Sequence, residues 1–185
     1  MWSSDIALFY VLNATAATPA WVLALARFAS GILPGVIVGL LLLGLVVGPR
    51  SLRRSVLQAL VSLAVAWCIV HVVRALVPFP RPAELGLGIQ WIPHGVKPGF
   101  PSMHSATAFA LAFSLLLCRS DALAGVATLA AVLIAWSRVC LGVHFPSDVL
   151  AGMVTGLLSA TLVAIAWRTV ERTKSTTPAP LKPVP

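Results

Sequence analysis

The sequence predicts an all-α fold, a polytopic membrane helical bundle with about five spanning helices and interfacial helices at the N-terminus. Of its 185 residues, 59% are hydrophobic and only 10% are charged, whereas soluble domains carry roughly a quarter charged residues. A chain of this length cannot bury so much apolar surface in a soluble core. Lipid is therefore expected to surround most of the helices, and residues 1–170 are predicted to form a single membrane domain.

The elements follow from the order of apolar and polar stretches. Residues 1–30 mix aromatic with polar side chains around Pro19, which favours two short amphipathic helices lying in the membrane interface. The predicted spans are the five apolar runs 32–47, 56–77, 102–118, 122–141 and 147–167. The first run is slightly short for a span, so its helix can begin within residues 22–30. Residues 171–185 are polar and proline-rich, which predicts a disordered cytoplasmic tail.

The orientation in the membrane follows from the basic residues. Successive spans alternate in direction, so the Gly- and Pro-rich loop 78–101 and the segment 138–147 belong to the same membrane face. Eight of the thirteen basic residues fall at the opposite face: Arg50, Arg53, Arg54, Arg119, Arg168, Arg172, Lys174 and Lys182. The positive-inside rule makes that face cytoplasmic. We therefore expect a multi-pass protein of the inner (plasma) membrane whose other face is extracytoplasmic.

The formal net charge of +8 does not indicate a nucleic-acid-binding protein. The basic residues occur singly or in short groups between apolar runs, without a basic groove interleaved with aromatic side chains. They are better explained as topology signals, as attraction to anionic lipid headgroups and as a site for a polyanionic substrate.

Ionisable residues concentrate at the helix ends of one membrane face. They are Arg74, Arg81, His104, Arg138, His144 and Asp148. Because an ionisable side chain costs roughly 2.5–3.5 kcal/mol at the centre of a spanning helix, such a concentration indicates a functional site. Ser102 and the unpaired N–H groups at the start of the third span add a helix N-terminus, which favours bound anions. Fixed positive donors of this kind suit a phosphoryl group, whose transition state carries negative charge on its oxygens.

Three stretches of this face carry a family resemblance. They read R-x6-RP at 74–82, PSMH at 101–104 and SR-x5-H-x3-D at 137–148. In this order and loop placement the chain resembles the type 2 phosphatidic acid phosphatase superfamily, whose pattern is K-x6-RP, PSGH and SR-x5-H-x3-D, over a motif core at residues 55–167. Arg74 replaces the usual lysine and keeps its charge while adding a fork suited to phosphate oxygens. Met103 replaces the usual glycine, and its side chain is tolerated where it points away from a phosphate bound by the backbone.

The resemblance implies a phosphatase with a phosphohistidine intermediate. His144 would attack phosphorus, while Asp148 fixes the imidazole tautomer and stabilises the developing charge. His104 would protonate the leaving oxygen and then activate water. The residues implied to bind the substrate phosphate are Arg74, Arg81, Ser102 and Arg138. No metal ion and no cofactor are expected, because the arginines supply the positive charge.

The motifs do not identify the substrate among the lipid phosphates that this family hydrolyses. The short chain, the extracytoplasmic site and the loop LGLGIQWIPHG look like bacterial undecaprenyl diphosphate phosphatases. This resemblance favours hydrolysis of undecaprenyl diphosphate to the monophosphate, which would recycle the carrier lipid of cell-wall synthesis. The alternative substrates are phosphatidylglycerophosphate, phosphatidate and lipid A. An alternative of another class is a non-catalytic lipid-binding or transport protein. The expected partners are the lipid substrate and the surrounding membrane lipids, and the oligomeric state stays open.

Overall fold

The computed structural model describes residues 3–93 and 98–176, and this part of the chain is helical without strands. The helices are α1 (Ser3–Leu12), α2 (Ala20–Val47), α3 (Arg50–Leu76), α4 (Met103–Leu117), α5 (Asp121–Cys140) and α6 (Pro146–Thr176). The predicted all-α bundle is confirmed. α6 extends beyond residue 171, where the tail was predicted to begin, and residues 177–185 of that tail lie outside the described residues.

The five predicted spans correspond to helices α2 to α6. In the described part of the chain, α2, α3, α5 and α6 are long and apolar enough to cross a membrane. α4 has 15 residues, about 22 Å at 1.5 Å per residue, which is less than the roughly 30 Å of a hydrocarbon core. α4 is nevertheless the central helix of the bundle, because it packs against α3, α5 and α6.

The first long helix begins earlier than the apolar run 32–47. α2 starts after Pro19 and continues to Val47 through a π-helical segment, Phe28–Ile32. Pro34 follows this segment, and a proline has no N–H and clashes with the carbonyl four residues before it, so a wider turn accommodates the ring. Residues 20–30 are therefore the first part of a spanning helix rather than a second interfacial helix.

Two glycines bring α4 and α6 into close contact. A Cβ at Gly152 would lie 2.7 Å from the Ser102 carbonyl oxygen, and a Cβ at Gly156 would lie 2.7 Å from the Ala106 carbonyl oxygen. Small residues at this spacing let the backbones of membrane helices approach each other. The contact holds the beginning of α4 beside the beginning of α6.

The segments 77–93, 98–102 and 141–145 lie together at one end of the bundle, which we call the site end. Arg81 donates from Nη1 to the Val143 carbonyl oxygen at 2.7 Å, and the Trp91 amide donates to the Leu141 carbonyl oxygen at 3.0 Å. The other end, which we call the opposite end, holds the turn 118–120 and the last turns of α6. The predicted sharing of faces by these loops is therefore observed in the fold.

The buried Asn13 connects the N-terminal helix to the site end. Its side-chain amide donates to the carbonyl oxygens of Ile89 at 3.0 Å and Cys140 at 3.1 Å, and its carbonyl oxygen accepts from the Ile89 amide at 2.8 Å. Since buried backbone groups require partners, Asn13 fixes the segment after α1 against the loop that contains Ile89 and against the last residue of α5.

Candidate active site

His144 lies at the centre of a buried chain of hydrogen bonds at the site end. Its side chain is almost fully enclosed, with Nδ1 3.1 Å from Asp148 Oδ2 and Nε2 3.2 Å from Arg81 Nη1. A guanidinium group donates and cannot accept, so Nε2 accepts from Arg81 and Nδ1 carries the hydrogen that Asp148 accepts. This geometry selects the tautomer in which Nε2 holds the lone pair that a nucleophile needs.

The first turn of α6 brings His144 and Asp148 together. Asp148 Oδ2 also accepts from the Phe145 amide at 3.0 Å, which satisfies one of the unpaired N–H groups at the helix start. Pro146 occupies the first helical position, where its missing N–H costs no hydrogen bond. The spacing H-x3-D therefore places an acid one helical turn after the histidine, with its carboxylate fixed from two sides.

Arg81 reaches His144 from the loop that follows α3. Its guanidinium is buried and also donates from Nη2 to the Pro98 carbonyl oxygen at 3.3 Å. Burial, and to a smaller extent the charge of Arg74, lowers the pKa of Arg81 to about 10. The side chain is consequently still protonated at neutral pH and presents a positive charge to the imidazole.

Arg74 and Ser102 meet at the segment that leads into α4. Arg74 donates to the Pro101 carbonyl oxygen from Nε at 3.2 Å and from Nη2 at 2.8 Å. The Ser102 amide donates to the Asp148 carbonyl oxygen at 2.9 Å, and the Ser102 hydroxyl accepts from the Ser105 amide at 3.5 Å. Ser102 is thus the N-cap of α4, and the start of this helix is bonded directly to the start of α6.

Arg138 is buried in the last turn of α5 and its guanidinium binds the hydroxyl of Ser30 in the π-helical part of α2. Its Nε is a buried donor without a hydrogen-bond partner among the described residues, and such a donor suits a bound acceptor. The Arg138 carbonyl accepts from the Val143 amide at 3.1 Å in a turn that includes Gly142, whose φ is 73°. A glycine is suited to this position because the left-handed region is open to it.

His104 stands in the first turn of α4 and is half-buried. It lines a cavity of about 60 Å³ together with Thr107, Leu63 and Ile134. The structure therefore joins His144, Asp148 and Arg81 by direct hydrogen bonds and links Arg74 and Ser102 to them through the residues before α4. Arg138 lies in the last turn of α5, just before the segment 141–145 that contains His144. The catalytic and phosphate-binding roles of these residues stay predictions.

Asp5 is a site-end residue that the sequence reasoning missed. Its carboxylate accepts from the Ser147 amide at 3.0 Å and from the Ser147 hydroxyl at 2.6 Å. It also lines a cavity of about 290 Å³ with Asp148, Phe79 and Phe100. The signal in the sequence was an acidic residue within a largely apolar N-terminal stretch. The polar residues of this stretch instead suggested a helix in the membrane interface. In the fold, α1 holds the first turn of α6 from outside the motif core.

The arrangement can support attack on an anionic phosphorus centre. An imidazole with an oriented acid on one nitrogen and a lone pair on the other is an activated nucleophile, and fixed guanidinium groups stabilise charge that develops on phosphoryl oxygens. Within residues 3–93 and 98–176, no group of three or more His, Cys, Asp or Glu side chains is placed to hold a metal ion.

The bundle and this buried centre define a multi-pass membrane protein with a site suited to phosphoryl transfer. Residues 55–172 match the PAP2 superfamily. Over 168 residues the chain is 32% identical to the protein named "Putative undecaprenyl-diphosphatase YbjG" of Escherichia coli (strain K12), covering 89% of this chain and 83% of that protein. The chain belongs to the PAP2 superfamily and is a membrane lipid phosphatase of that family.

Two further similarities bear on substrate and fold. The chain is 38% identical over 86 residues to a lipid A 4′-phosphatase of Bacteroides thetaiotaomicron, covering 45% of this chain and 38% of that protein. The crystal structure of Aquifex aeolicus LpxE superposes with a TM-score of 0.72 at 25% identity, covering 88% of this chain and 95% of that chain. The similarity to a solved structure thus extends beyond the family-matched segment.

Proposed function

We propose that this phosphatase hydrolyses undecaprenyl diphosphate to undecaprenyl monophosphate and inorganic phosphate, with His144 as the nucleophile. The observation that carries the chemistry is the bonding of His144 between Asp148 and Arg81. The substrate is supported by the similarity to the E. coli relative over 89% of this chain, against 45% for the lipid A 4′-phosphatase.

In the first step the terminal phosphate draws the Arg81 guanidinium away from Nε2, because charged oxygens are stronger acceptors than a neutral imidazole. The Nε2 lone pair then forms a bond to phosphorus as the bond to the bridging oxygen breaks. His104 gives its proton to the leaving oxygen of the lipid monophosphate. Asp148 stabilises the positive charge on the phosphorylated imidazole.

The oxygens of the transferred phosphoryl group are bound by donors from three elements. Arg74 comes from the end of α3, Arg138 from the end of α5 and Ser102 from the start of α4. A helix N-terminus adds unpaired N–H groups and a favourable dipole. These donors are fixed before the substrate binds, so they stabilise the transition state with little reorganisation.

In the second step water attacks the phosphohistidine while His104 accepts the proton of the water. The bond between phosphorus and Nε2 breaks, inorganic phosphate leaves, and Nε2 recovers its lone pair. Arg81 can then return to Nε2, which restores the arrangement seen in the structure.

The substrate assignment is tested with purified protein and a panel of lipids. Phosphate release is measured with undecaprenyl diphosphate, phosphatidylglycerophosphate, phosphatidate and lipid A at equal mole fraction in detergent micelles. We expect the highest kcat/KM with undecaprenyl diphosphate. Turnover of another lipid with none of undecaprenyl diphosphate would reject this substrate and leave the phosphatase chemistry intact.

Metal independence is a separate prediction. Because Arg74, Arg81 and Arg138 supply positive charge at the site, dialysis against EDTA should leave the rate of phosphate release unchanged. The measurement compares dialysed enzyme with the same enzyme given Mg²⁺. A loss on dialysis that Mg²⁺ restores would contradict the prediction.

The proposed location is the inner membrane with the site end on the extracytoplasmic face, supported by the eight basic residues that the sequence predicts for the other membrane face. Single cysteines at two exposed positions test it, Gln90→Cys at the site end and Ser51→Cys at the opposite end, in a background without the native cysteines. A membrane-impermeant maleimide applied to spheroplasts should label Gln90→Cys alone. Labelling of Ser51→Cys alone would invert the orientation.

A further inference from the structure

The opposite end contains a basic cavity of about 380 Å³ between α3, α6 and the turn that joins α4 to α5. Its charged lining is Arg54, Arg119 and Arg168, and its uncharged polar lining includes Ser51, Ser55 and Gln58. Arg54 pairs with Glu171. Within the described residues, the guanidinium groups of Arg119 and Arg168 have no hydrogen-bond or ion-pair partner, so two of the three positive charges are not neutralised by the protein.

Arg119 has a backbone conformation that is unusual for its side chain. Its φ is 58°, in the left-handed region that glycine normally occupies at the end of a helix. The Arg119 amide donates to the Leu116 carbonyl at 2.9 Å and the Ser120 amide donates to the Leu115 carbonyl at 3.1 Å, which is the Schellman arrangement. A strained residue at a ligand-accessible position is a reason to look for a function of its side chain.

Not every arginine of this end points into the cavity. Arg53, next to Arg54, donates to the carbonyl oxygens of Gly48 at 2.8 Å and Val46, and Arg50 lies outside the lining. Topology signalling requires only that basic residues lie on this face. The convergence of three guanidinium groups on one cavity is therefore an additional feature that topology alone does not explain.

An apolar groove of about 550 Å³ adjoins the cavity between α3 and α6. Its apolar walls are Val61 and Val65 of α3 with Leu162, Val163, Ala166 and Val170 of α6. Trp167 lines both the groove and the cavity and donates from Nε1 to Glu171 Oε1 at 2.9 Å. The groove follows α6 from Leu162 to Glu171, about 13 Å at 1.5 Å per residue.

We propose that the cavity and the groove form one binding site for an anionic phospholipid, with its phosphate in the cavity and an acyl chain in the groove. The unneutralised charge of Arg119 and Arg168 complements a lipid phosphate, and the groove supplies an apolar surface that begins where the charge ends. A tryptophan at this boundary suits the headgroup level of a membrane. The site lies at the other end of the bundle from His144, and it does not depend on the substrate proposed above.

The headgroup contact is tested by native mass spectrometry of the detergent-solubilised full chain titrated with phosphatidylglycerol or phosphatidylcholine. We expect wild type to retain phosphatidylglycerol preferentially. Arg119→Gly should weaken this retention about fivefold, the effect of one basic residue near an anionic lipid, and should fold well because glycine suits this φ. Arg168→Gln is the second variant, with the same expected loss, should Arg119→Gly fail to fold.

Arg50→Gln is the matched control, because it removes an equal charge from the same end without touching the cavity, and it should retain phosphatidylglycerol as wild type does. An equal loss in Arg50→Gln and Arg119→Gly would overturn the proposal in favour of a general surface charge effect. Equal retention of the two lipids by wild type would also overturn it.

The acyl-chain contact is tested with Ala166→Phe, which narrows the groove without changing any charge. Retention of phosphatidylglycerol should fall while the thermal midpoint stays near that of wild type. Unchanged retention would contradict occupation of the groove. Complete displacement of the lipid by millimolar inorganic phosphate would show that the cavity binds a free anion instead of a lipid.

Discussion

Replacing His144 by alanine is expected to lower phosphate release from the lipid substrate by about 10³-fold or more, because the variant has no atom that can form the covalent intermediate. The measurement is kcat/KM for release of inorganic phosphate by wild type and His144→Ala in matched micelles.

His71→Ala is the control for this loss. The ring of His71 lies against that of Trp67, with centroids 3.8 Å apart and planes tilted by 39°, and its Nδ1 bonds to the Trp67 carbonyl oxygen at 2.9 Å. Both of these contacts lie within α3, so replacing His71 should change the rate of phosphate release by less than about threefold. Turnover that survives in His144→Ala would support the non-catalytic alternative and would attribute the observed rate to a contaminant.

Replacing Asp148 by asparagine is expected to lower kcat by about 10²–10⁴-fold, in line with other acid–histidine pairs. An asparagine oxygen can still accept from the Phe145 amide and from His144 Nδ1, so the local fold should persist. The variant lacks the negative charge that stabilises the phosphorylated imidazole. The measurement is the rate of phosphate release together with the thermal midpoint, which should fall little.

Asp121→Asn gives the matched control. Asp121 is likewise an acid in the first turn of a spanning helix, but it begins α5 at the opposite end, so its replacement should leave kcat unchanged. If Asp148→Asn lost activity only in proportion to a loss of folded protein, the acid would have a structural role and the proposed charge stabilisation would be wrong.

Much of the fold could be predicted from the sequence, because a membrane-spanning helix is recognised from a continuous run of apolar residues. The apolar runs, the loops between them and the parity of crossings each depend on neighbouring residues. The same holds for the pairing of His144 with Asp148, since a spacing of four residues at a helix start brings two side chains together. Ser102 as an N-cap is a local signal as well.

Contacts between distant segments were not accessible in this way. The bond from Arg81 to His144 Nε2 joins residues from different loops, and it decides the imidazole tautomer. Arg138 bonds to Ser30, which is 108 residues away in the sequence. Asp5 caps the start of α6 by bonding to Ser147, 142 residues away. No periodicity or motif encodes such partners, because they arise only when the helices pack. The sequence allowed the first span to begin within residues 22–30 but did not exclude a separate interfacial helix there, because Pro19 and the polar residues before 32 resemble the boundary of a short helix.

Phosphorylation of His144 is tested by direct detection of the phosphohistidine adduct. Wild-type enzyme is mixed with excess lipid diphosphate, quenched in base within milliseconds to preserve a phosphorus–nitrogen bond, digested and analysed by mass spectrometry. We expect one phosphate on the peptide that contains His144, lost on brief acid treatment and absent in His144→Ala. A phosphate found on His104 instead, or rapid turnover with no phosphorylated peptide at any quench time, would contradict it.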